Sequence, residues 1–405
     1  MKLFYGWVIV GVGMLVTCIG MGSMMSLGVY LQPMSQDMGW SRAGISFTAV
    51  LSFLAMGFGS FLWGSLSDRF GTRVVVLAGG VLLAAGLISA SHATELWQFQ
   101  LLFGILVGLA AGSFYAPLIA TITRWFTVNR SLAVALVSSG MGLGSFLIAP
   151  LSRWIITNYD WRTAMMTIGS LALVVVIPAS LFVRRPPALA YPGGVAAAGA
   201  DGHDFTMAQV LRTPQFAAIA LTHFACCAAH SGPIFHMVSY AIDCGISSMT
   251  AATVFGITGL ASLSGRIVCG LIADRVGAKQ TLVAGLAIQA LAVSLYVVTK
   301  GTVGFYALAA LFGLAFGGVM PLYAILVREY FGARIMGTAF GTVAMVSTLG
   351  MAIGPWAGGW LFDTFGSYFW MYIGSFGIGL GAVAIAITFR PPERQPVAAL
   401  SLQEA

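Results

Sequence analysis

The sequence predicts an all-α membrane protein with twelve transmembrane helices arranged as two pseudo-symmetric six-helix halves. Three observations carry this prediction. Of the 405 residues, 59% are hydrophobic and 8% charged, with a mean hydropathy of +0.93, whereas soluble chains carry roughly 25% charged residues. Apolar runs of about 20 residues, enough to cross hydrocarbon as a helix, recur between short polar breaks without the alternation of a barrel. The third observation is a repeat: "GSLSDRFGTR" at 64–73 returns 206 residues later as "GLIADRVGAK" at 270–279.

The spans are predicted at about 6–32, 43–66, 74–91, 96–123, 131–152 and 163–183 in the first half. The second half holds spans at about 215–241, 249–272, 280–299, 303–327, 335–362 and 365–389. Span 1 is too long for a signal-peptide core and no small-residue cleavage pattern follows it, so it is expected to be retained. Span 5 follows "RWFTVNR", which is echoed by "REYFGAR" before span 11, just as "DMGWS" before span 2 is echoed by "DCGIS" before span 8. These echoes make the halves parallel repeats, an arrangement that places a substrate site between them. The domain organisation is therefore an N-terminal half at 1–185, a cytoplasmic linker at 186–212, a C-terminal half at 213–390 and a disordered tail at 391–405. Within the linker, "PPALAYPGGVAAAGADGHDF" lacks hydrophobic periodicity, and "TMAQVLRTPQF" reads as a short interfacial helix with Thr206 as its N-cap.

With the amino terminus inside, 14 Lys and Arg fall on the inner side and 4 on the outer, Arg266 making up the total of 19. The positive-inside rule then sets both termini in the cytoplasm of a cell whose inner (plasma) membrane holds the chain. The net charge of +7 is a topological signal and implies no nucleic-acid partner. The five cysteines lie in or at the ends of spans without metal-ligand spacing, and read as packing residues. No nucleotide loop, metal cluster or nucleophile–base pair points to an enzyme, so no cofactor, metal or catalytic residue is expected.

Arg266 is the sole Lys, Arg, Asp or Glu in the predicted span interiors. Such a charge at the centre of a membrane helix costs about 2.5–3.5 kcal/mol on insertion scales. A cation without a buried acid favours an anionic ligand. Thr258, Ser262 and Arg266 share one helical face, so hydroxyls and a planar guanidinium fork could hold a carboxylate there. The alternative is structural: Arg266 lies one turn before Gly270, and could snorkel to headgroups or bond backbone carbonyls in a gate.

Span 7 carries His223, His230 and His236, with Pro233 expected to kink it. His230 and His236 are the proton-coupling candidates, since histidine changes charge near neutral pH; the alternative is a neutral ring making one interhelical hydrogen bond. Tyr30, opposite His236 in the pseudo-repeat, and Tyr115, near the membrane middle of span 4, are further candidates for lining the cavity. "GMAIGPWAGG" in span 11 reads as helix packing around Pro355.

The duplicated pattern G-x-L-x-D-R-x-G-x-[RK] resembles the major facilitator superfamily, and the twelve-span plan extends that resemblance over nearly the whole chain. In that family the motif is a cytoplasmic latch. The resemblance thus assigns gating to Gly64, Asp68, Arg69, Gly71, Gly270, Asp274, Arg275 and Gly277. Gly64 and Gly270 would permit close helix approach, Gly71 and Gly277 a tight turn, and the aspartates capping or pairing. "FYGWVIVGVGM", "DMGWSRAGISF", "RWFTVNRSLAVALVSSGMGLG" and "HMVSYAIDCGISSMTAA" leading to "SGRIVCGLIADRVG" further resemble the branch of monocarboxylate porters and the oxalate:formate antiporter. That branch carries an anion-binding arginine at the place of Arg266. Ser262 stands where animal porters usually have an Asp, their span-1 lysine is missing, and span 11 has no second cation, so a monoanion is favoured over a dianion.

The resulting expectation is a monomeric secondary active transporter that moves a small organic monocarboxylate by alternating access, with proton coupling. Arg266 would anchor the anion, with Ser262, Tyr115, Tyr30, His230 and His236 around it. The alternatives are an exchanger or facilitator of larger aromatic or branched carboxylates, an exporter of an uncharged compound, and, in a different class, a non-transporting membrane sensor.

Overall fold

The computed structural model describes residues 4–126, 130–184, 207–331 and 336–391. The linker stretch 186–205, Thr206 and the tail from residue 392 lie outside these residues, as does the side chain of Asp68. No strand occurs among the described residues.

The N-terminal half runs through Tyr5–Met25, continued by Leu27–Met38, then Arg42–Phe70, Thr72–Ser91, a segmented fourth span, Arg130–Asn158 and Trp161–Ser180. The five-residue helix Met207–Leu211 precedes the C-terminal half, which runs through Pro214–Asp243, Ser248–Val276, Ala278–Leu295, Thr302–Phe331, Met336–Phe365 and Phe369–Ile387. Eleven of these spans are long and apolar enough to cross a membrane. The remaining predicted span coincides with the 29-residue helix Arg130–Asn158. Because the number of spans is even, span 1 begins and span 12 ends at the same face, called the terminal face below; the opposite one is the far face.

Local chemistry explains the helix starts. Side chains of Ser41, Asp160, Thr213 and Ser247 each accept a hydrogen bond from the backbone N–H three residues on, satisfying donors that the first turn leaves free. Spans 2 and 3 join at Gly71 (φ 92°), and spans 8 and 9 at Gly277 (φ 101°), a backbone region that glycine enters without a Cβ penalty.

Two spans depart from uninterrupted helix. Span 1 jogs at Ser26, whose hydroxyl donates to Gly22 O at 2.6 Å, and extends to Met38, past the predicted end at 32. Span 4 contains a π-helical stretch, Gln100–Val107, and breaks at Ser113–Tyr115 before resuming as Ala116–Trp125. Hydropathy is blind to both, because apolar character continues while the hydrogen-bond register changes. Pro233, expected to kink span 7, lies inside the continuous helix Pro214–Asp243.

In hydrocarbon, helices gain little by burying apolar surface against one another, so close packing of small residues governs their association. The halves meet along three seams. Spans 5 and 8 touch backbone to backbone, where a Cβ at Gly259 would lie 2.6 Å from Gly142 O. Spans 2 and 11 approach at Ala43 and Gly359, and the far end of span 1 meets span 7 where Gly28 abuts Phe235 O. On the terminal side, among the described residues, spans 1 and 4 make no comparable contact with spans 7 and 10.

Candidate functional site

The far face is sealed by one arginine. At the start of span 2, Arg42 Nη1 lies 3.0 Å from Asp243 Oδ2 in the C-terminal half and donates to the Tyr368 hydroxyl at 2.9 Å. Its guanidinium stacks over Phe362, 3.7 Å from the ring centroid. The Asp363 carboxylate accepts from Arg42 N at 3.2 Å and Ala43 N at 2.7 Å, so an acid of one half caps a helix of the other. This unites a charge-assisted contact with the helix dipole. Asp243–Arg42 is the only ion pair among the described residues.

The seal reaches inward to His236. Nε2 of this ring is 2.8 Å from Pro355 O and Nδ1 is 3.1 Å from the Tyr368 hydroxyl. A carbonyl only accepts, so Nε2 carries the hydrogen and Tyr368 donates to Nδ1.

Nearer the terminal face, the seam of spans 5 and 8 brings Arg266 and Tyr115 together. Arg266 Nη1 donates across the seam to Ser138 O at 3.1 Å, and the Tyr115 hydroxyl is 3.2 Å from Ser138 Oγ. Tyr115 is 37% exposed, and it occupies the break in span 4, which frees its ring from the helical stack. Arg266 is partly buried, and none of its nitrogens is both buried and unpartnered. Its free donors are therefore reachable by a ligand. Ser138 had no signal in the sequence, because its carbonyl and hydroxyl act only once span 8 lies alongside.

The other candidates are placed differently. Ser262 is buried and its hydroxyl donates to Gly259 O at 2.8 Å in its own helix; Thr258 likewise donates to Val254 O. The expected row of hydroxyls beside Arg266 is thus turned back onto backbone, the local bond that Ser and Thr make in the absence of a better acceptor. Tyr30 is buried in the apolar cluster that runs across both halves. His230 is fully buried, with Nδ1 3.8 Å from Cys226 Sγ and Nε2 3.2 Å from Met351 Sδ.

A cavity of about 30 Å³, room for one or two waters, lies under the far-face seal. It is lined by Met24, Met25, Ser52, Phe53, Phe235 and Met351, among others. Met351 stands between His230 and this space, and no predicted site residue lines it.

The duplicated motifs lie at the terminal face. Among the described residues nothing lies within 4 Å of a Cβ built at Gly64 or Gly270, so no close approach to them is seen among those residues. Arg69, Asp274 and Arg275 are exposed, and Gly71 and Gly277 form the turns described above.

A family model described as Major Facilitator Superfamily matches residues 12–355 and 268–405. Monocarboxylate transporter 13 of Bos taurus is 29% identical over 366 residues, covering 90% of this chain and 84% of that protein. Monocarboxylate transporter 3 of Rattus norvegicus is 28% identical over 400 residues, covering 95% and 80%. The uncharacterized MFS-type transporter YhjX of Escherichia coli is 25% identical over 349 residues, covering 85% and 84%. Among solved structures, a bacterial homologue of the human lysosomal transporter Spinster, in an inward-facing and unoccupied conformation, superposes with a TM-score of 0.72. That alignment has 14% identity and covers 96% of this chain and 95% of the other.

Proposed function

The chain belongs to the major facilitator superfamily and is a multi-pass membrane transporter, and from that premise we propose that it carries a small organic monocarboxylate by alternating access, with Arg266 as the anion anchor. The observation that supports this reading is the position of Arg266. It is an interior cation on the seam between the halves, bonded to a neutral carbonyl of the opposite half and close to an exposed tyrosine that bonds the same serine. A guanidinium has five donors in a planar fork, so a carboxylate can engage it bidentately and accept a third bond from Tyr115. Ser138 O offers the arginine one lone-pair acceptor without charge, a partner that a carboxylate displaces readily. The ligand then bridges the C-terminal half at Arg266 and the N-terminal half at Tyr115. Its charge cancels that of the arginine, lowering the cost of moving the site through low dielectric.

In this reading, the terminal face is cytoplasmic by the distribution of Lys and Arg, the membrane is the inner (plasma) membrane, and the conformation described is sealed to the outside. The halves 1–185 and 213–390 rock as bodies about the bound anion, joined by the cytoplasmic linker 186–212, with the monomer as working unit. A proton travels with the substrate on His230, whose sulfur partners hold it more weakly than the carbonyl and phenol hold His236. The relatives named as monocarboxylate transporters support the substrate class.

The test is the affinity ratio of an acid to its amide in wild type, Arg266→Lys and Arg266→Gln. Charge-assisted bonds are worth about 1.5–3 kcal/mol each, so Gln should weaken acid binding at least ten-fold and leave the amide nearly unchanged. Lys, which keeps the charge and loses the fork, should fall between. An unchanged ratio in Arg266→Gln rejects the anchor and favours an uncharged cargo.

A further inference from the structure

We infer that the Tyr368 hydroxyl is a positioning group that ties the far-face clasp to the protonation of His236, so that a proton on this ring loosens the seal and opens the far face. The inference needs only a transporter whose halves rock; it requires neither a carboxylate cargo nor a proton carried on His230.

The first observation is a chain of hydrogen bonds with no spare acceptor in it. Arg42 Nη1, in the N-terminal half, donates to the Tyr368 hydroxyl at 2.9 Å. That hydroxyl gives its one hydrogen to His236 Nδ1 at 3.1 Å, and His236 Nε2 donates to Pro355 O at 2.8 Å. The chain is complete for a neutral ring with its hydrogen on Nε2. A further proton can bind only at Nδ1, and the phenol must then accept there and turn its own hydrogen elsewhere. Two acceptors lie close enough to act on it, Ser239 Oγ and the Asp243 carboxylate. Ser239 Oγ is buried and without a hydrogen-bond partner, whereas Asp243 is held by Arg42 at 3.0 Å. A turn toward Asp243 competes with Arg42 for its carboxylate. A turn toward Ser239 leaves two cations, Arg42 and the imidazolium, sharing one neutral oxygen in a site shut off from water, where like charges repel strongly.

The second observation is the place of the ring. A Cβ at Gly358 would lie 2.6 Å from His236 Cδ2, and the next residue, Gly359, abuts Arg42 O and Ala43 of the opposite half. A ring that shifts to relieve the repulsion therefore pushes on the segment of span 11 that closes the seam with span 2, because packed helices have no slack to absorb it.

The other titratable groups at this end are engaged or uncharged. Asp363 of span 11 accepts from Arg42 N and Ala43 N. Tyr240 of span 7 packs edge-on against Tyr368 and tilts against Tyr372 of span 12, and Cys244 follows Asp243 at the exposed end of span 7. The far part of span 1, which meets span 7 at Gly28 and Phe235, carries Tyr30 and Asp37, and Asp37 accepts from Trp161 Nε1 at 2.8 Å. Spans 8, 9 and 10 bring Tyr296 and Tyr306 to this end, with Lys300 exposed in the loop between the last two. The formal charge that acts on the ring is that of Arg42. Protonation thus disfavours the sealed arrangement relative to an open one in which water solvates both cations, and acid shifts the two-state equilibrium toward an open far face.

Distances across the far face test this. Spin labels at Gln36→Cys, at the far end of span 1, and Val303→Cys, at the far start of span 10, sit on exposed positions. They are read in a Cys244→Ser background, since the other four cysteines are buried. Between about pH 7.5 and about pH 5 carboxylates stay ionised while an accessible histidine titrates. Across that window the open population should rise roughly five-fold or more with His236, Ser239 and Tyr368 in place. His236→Gln keeps one donor and one acceptor but takes up no proton, so its distances should stay those of the sealed state throughout. Ser239→Ala removes the neutral acceptor and should move the opening to higher pH. Tyr368→Phe keeps the ring against Phe362 but loses the hydroxyl, and should weaken the pH response; these two variants carry the test should His236→Gln fail to fold. Distances that ignore pH with all three residues in place, or a full response in His236→Gln or Tyr368→Phe, overturn the inference. The acid-to-amide ratio that tests Arg266 is read separately and is unaffected by either outcome.

Discussion

Arg266 and His230 show how far one residue can be read before its neighbours are known. The arginine stood out because a charge in a membrane span is costly enough to need a reason, and spacing alone put Thr258 and Ser262 on its face. Whether those hydroxyls point at a ligand or back at their own helix depends on what else competes for them, and the structure satisfies both on backbone carbonyls. Of the three histidines of span 7, the sequence offered His230 and His236 alike as proton-coupling candidates. Their environments now differ: His236 is held by a carbonyl and a phenol, His223 stacks on Tyr323 at 4.0 Å, and His230 has two sulfurs, of Cys226 and Met351, beside its ring nitrogens. If His230 carries the proton, an inward pH gradient should drive uptake into proteoliposomes, and His230→Gln should abolish that drive while substrate exchange continues. Wild-type uptake that ignores the gradient removes the proton from the mechanism.

Among the elements, the repeated motif turns were visible because paired glycines recurring at one fixed offset rarely arise from unrelated turns, and both Gly71 and Gly277 adopt positive φ. What the motifs bind was not visible; among the described residues nothing packs within 4 Å of a Cβ at Gly64 or Gly270, and Asp274 is exposed. On the proposed gating role, close approach at these glycines belongs to the opposite conformation, in which the terminal face shuts. Asp274→Asn should then slow turnover several-fold while equilibrium affinity for the carboxylate stays within about two-fold, since the motif is remote from Arg266's ligand side. Affinity and transport rate measured on the same preparation decide this; a large affinity loss with normal turnover of bound substrate refutes a latch.

For the whole molecule, the sealed far face and the disengaged motifs are two aspects of one state. Arg42 concentrates the seal: one ion pair, one phenol and one aromatic face, next to a helix terminus capped from the other half. Removing its charged bonds weakens this state by about 1–3 kcal/mol, enough to move a two-state equilibrium about five-fold or more. Arg42→Gln should therefore lengthen the distance between spin labels placed at the far ends of spans 1 and 7. Unaltered distance distributions count against Arg42 as the clasp.

The sequence by itself determined the class, the twelve spans, the duplication and the lone interior charge, because each follows from local composition: hydrocarbon tolerates only apolar helices, and a repeat is countable. Arg42, one residue before the predicted span 2, carried no hint in the sequence that Asp243, Tyr368, Phe362 and Asp363 would converge on it. Those partners sit 201 to 326 positions away from Arg42, and only the packing of one half against the other brings them within bonding distance. The same holds for Ser138 beneath Arg266. Tertiary structure decided which polar groups found partners, since partner choice is a property of the seam between helices and is encoded in no single segment.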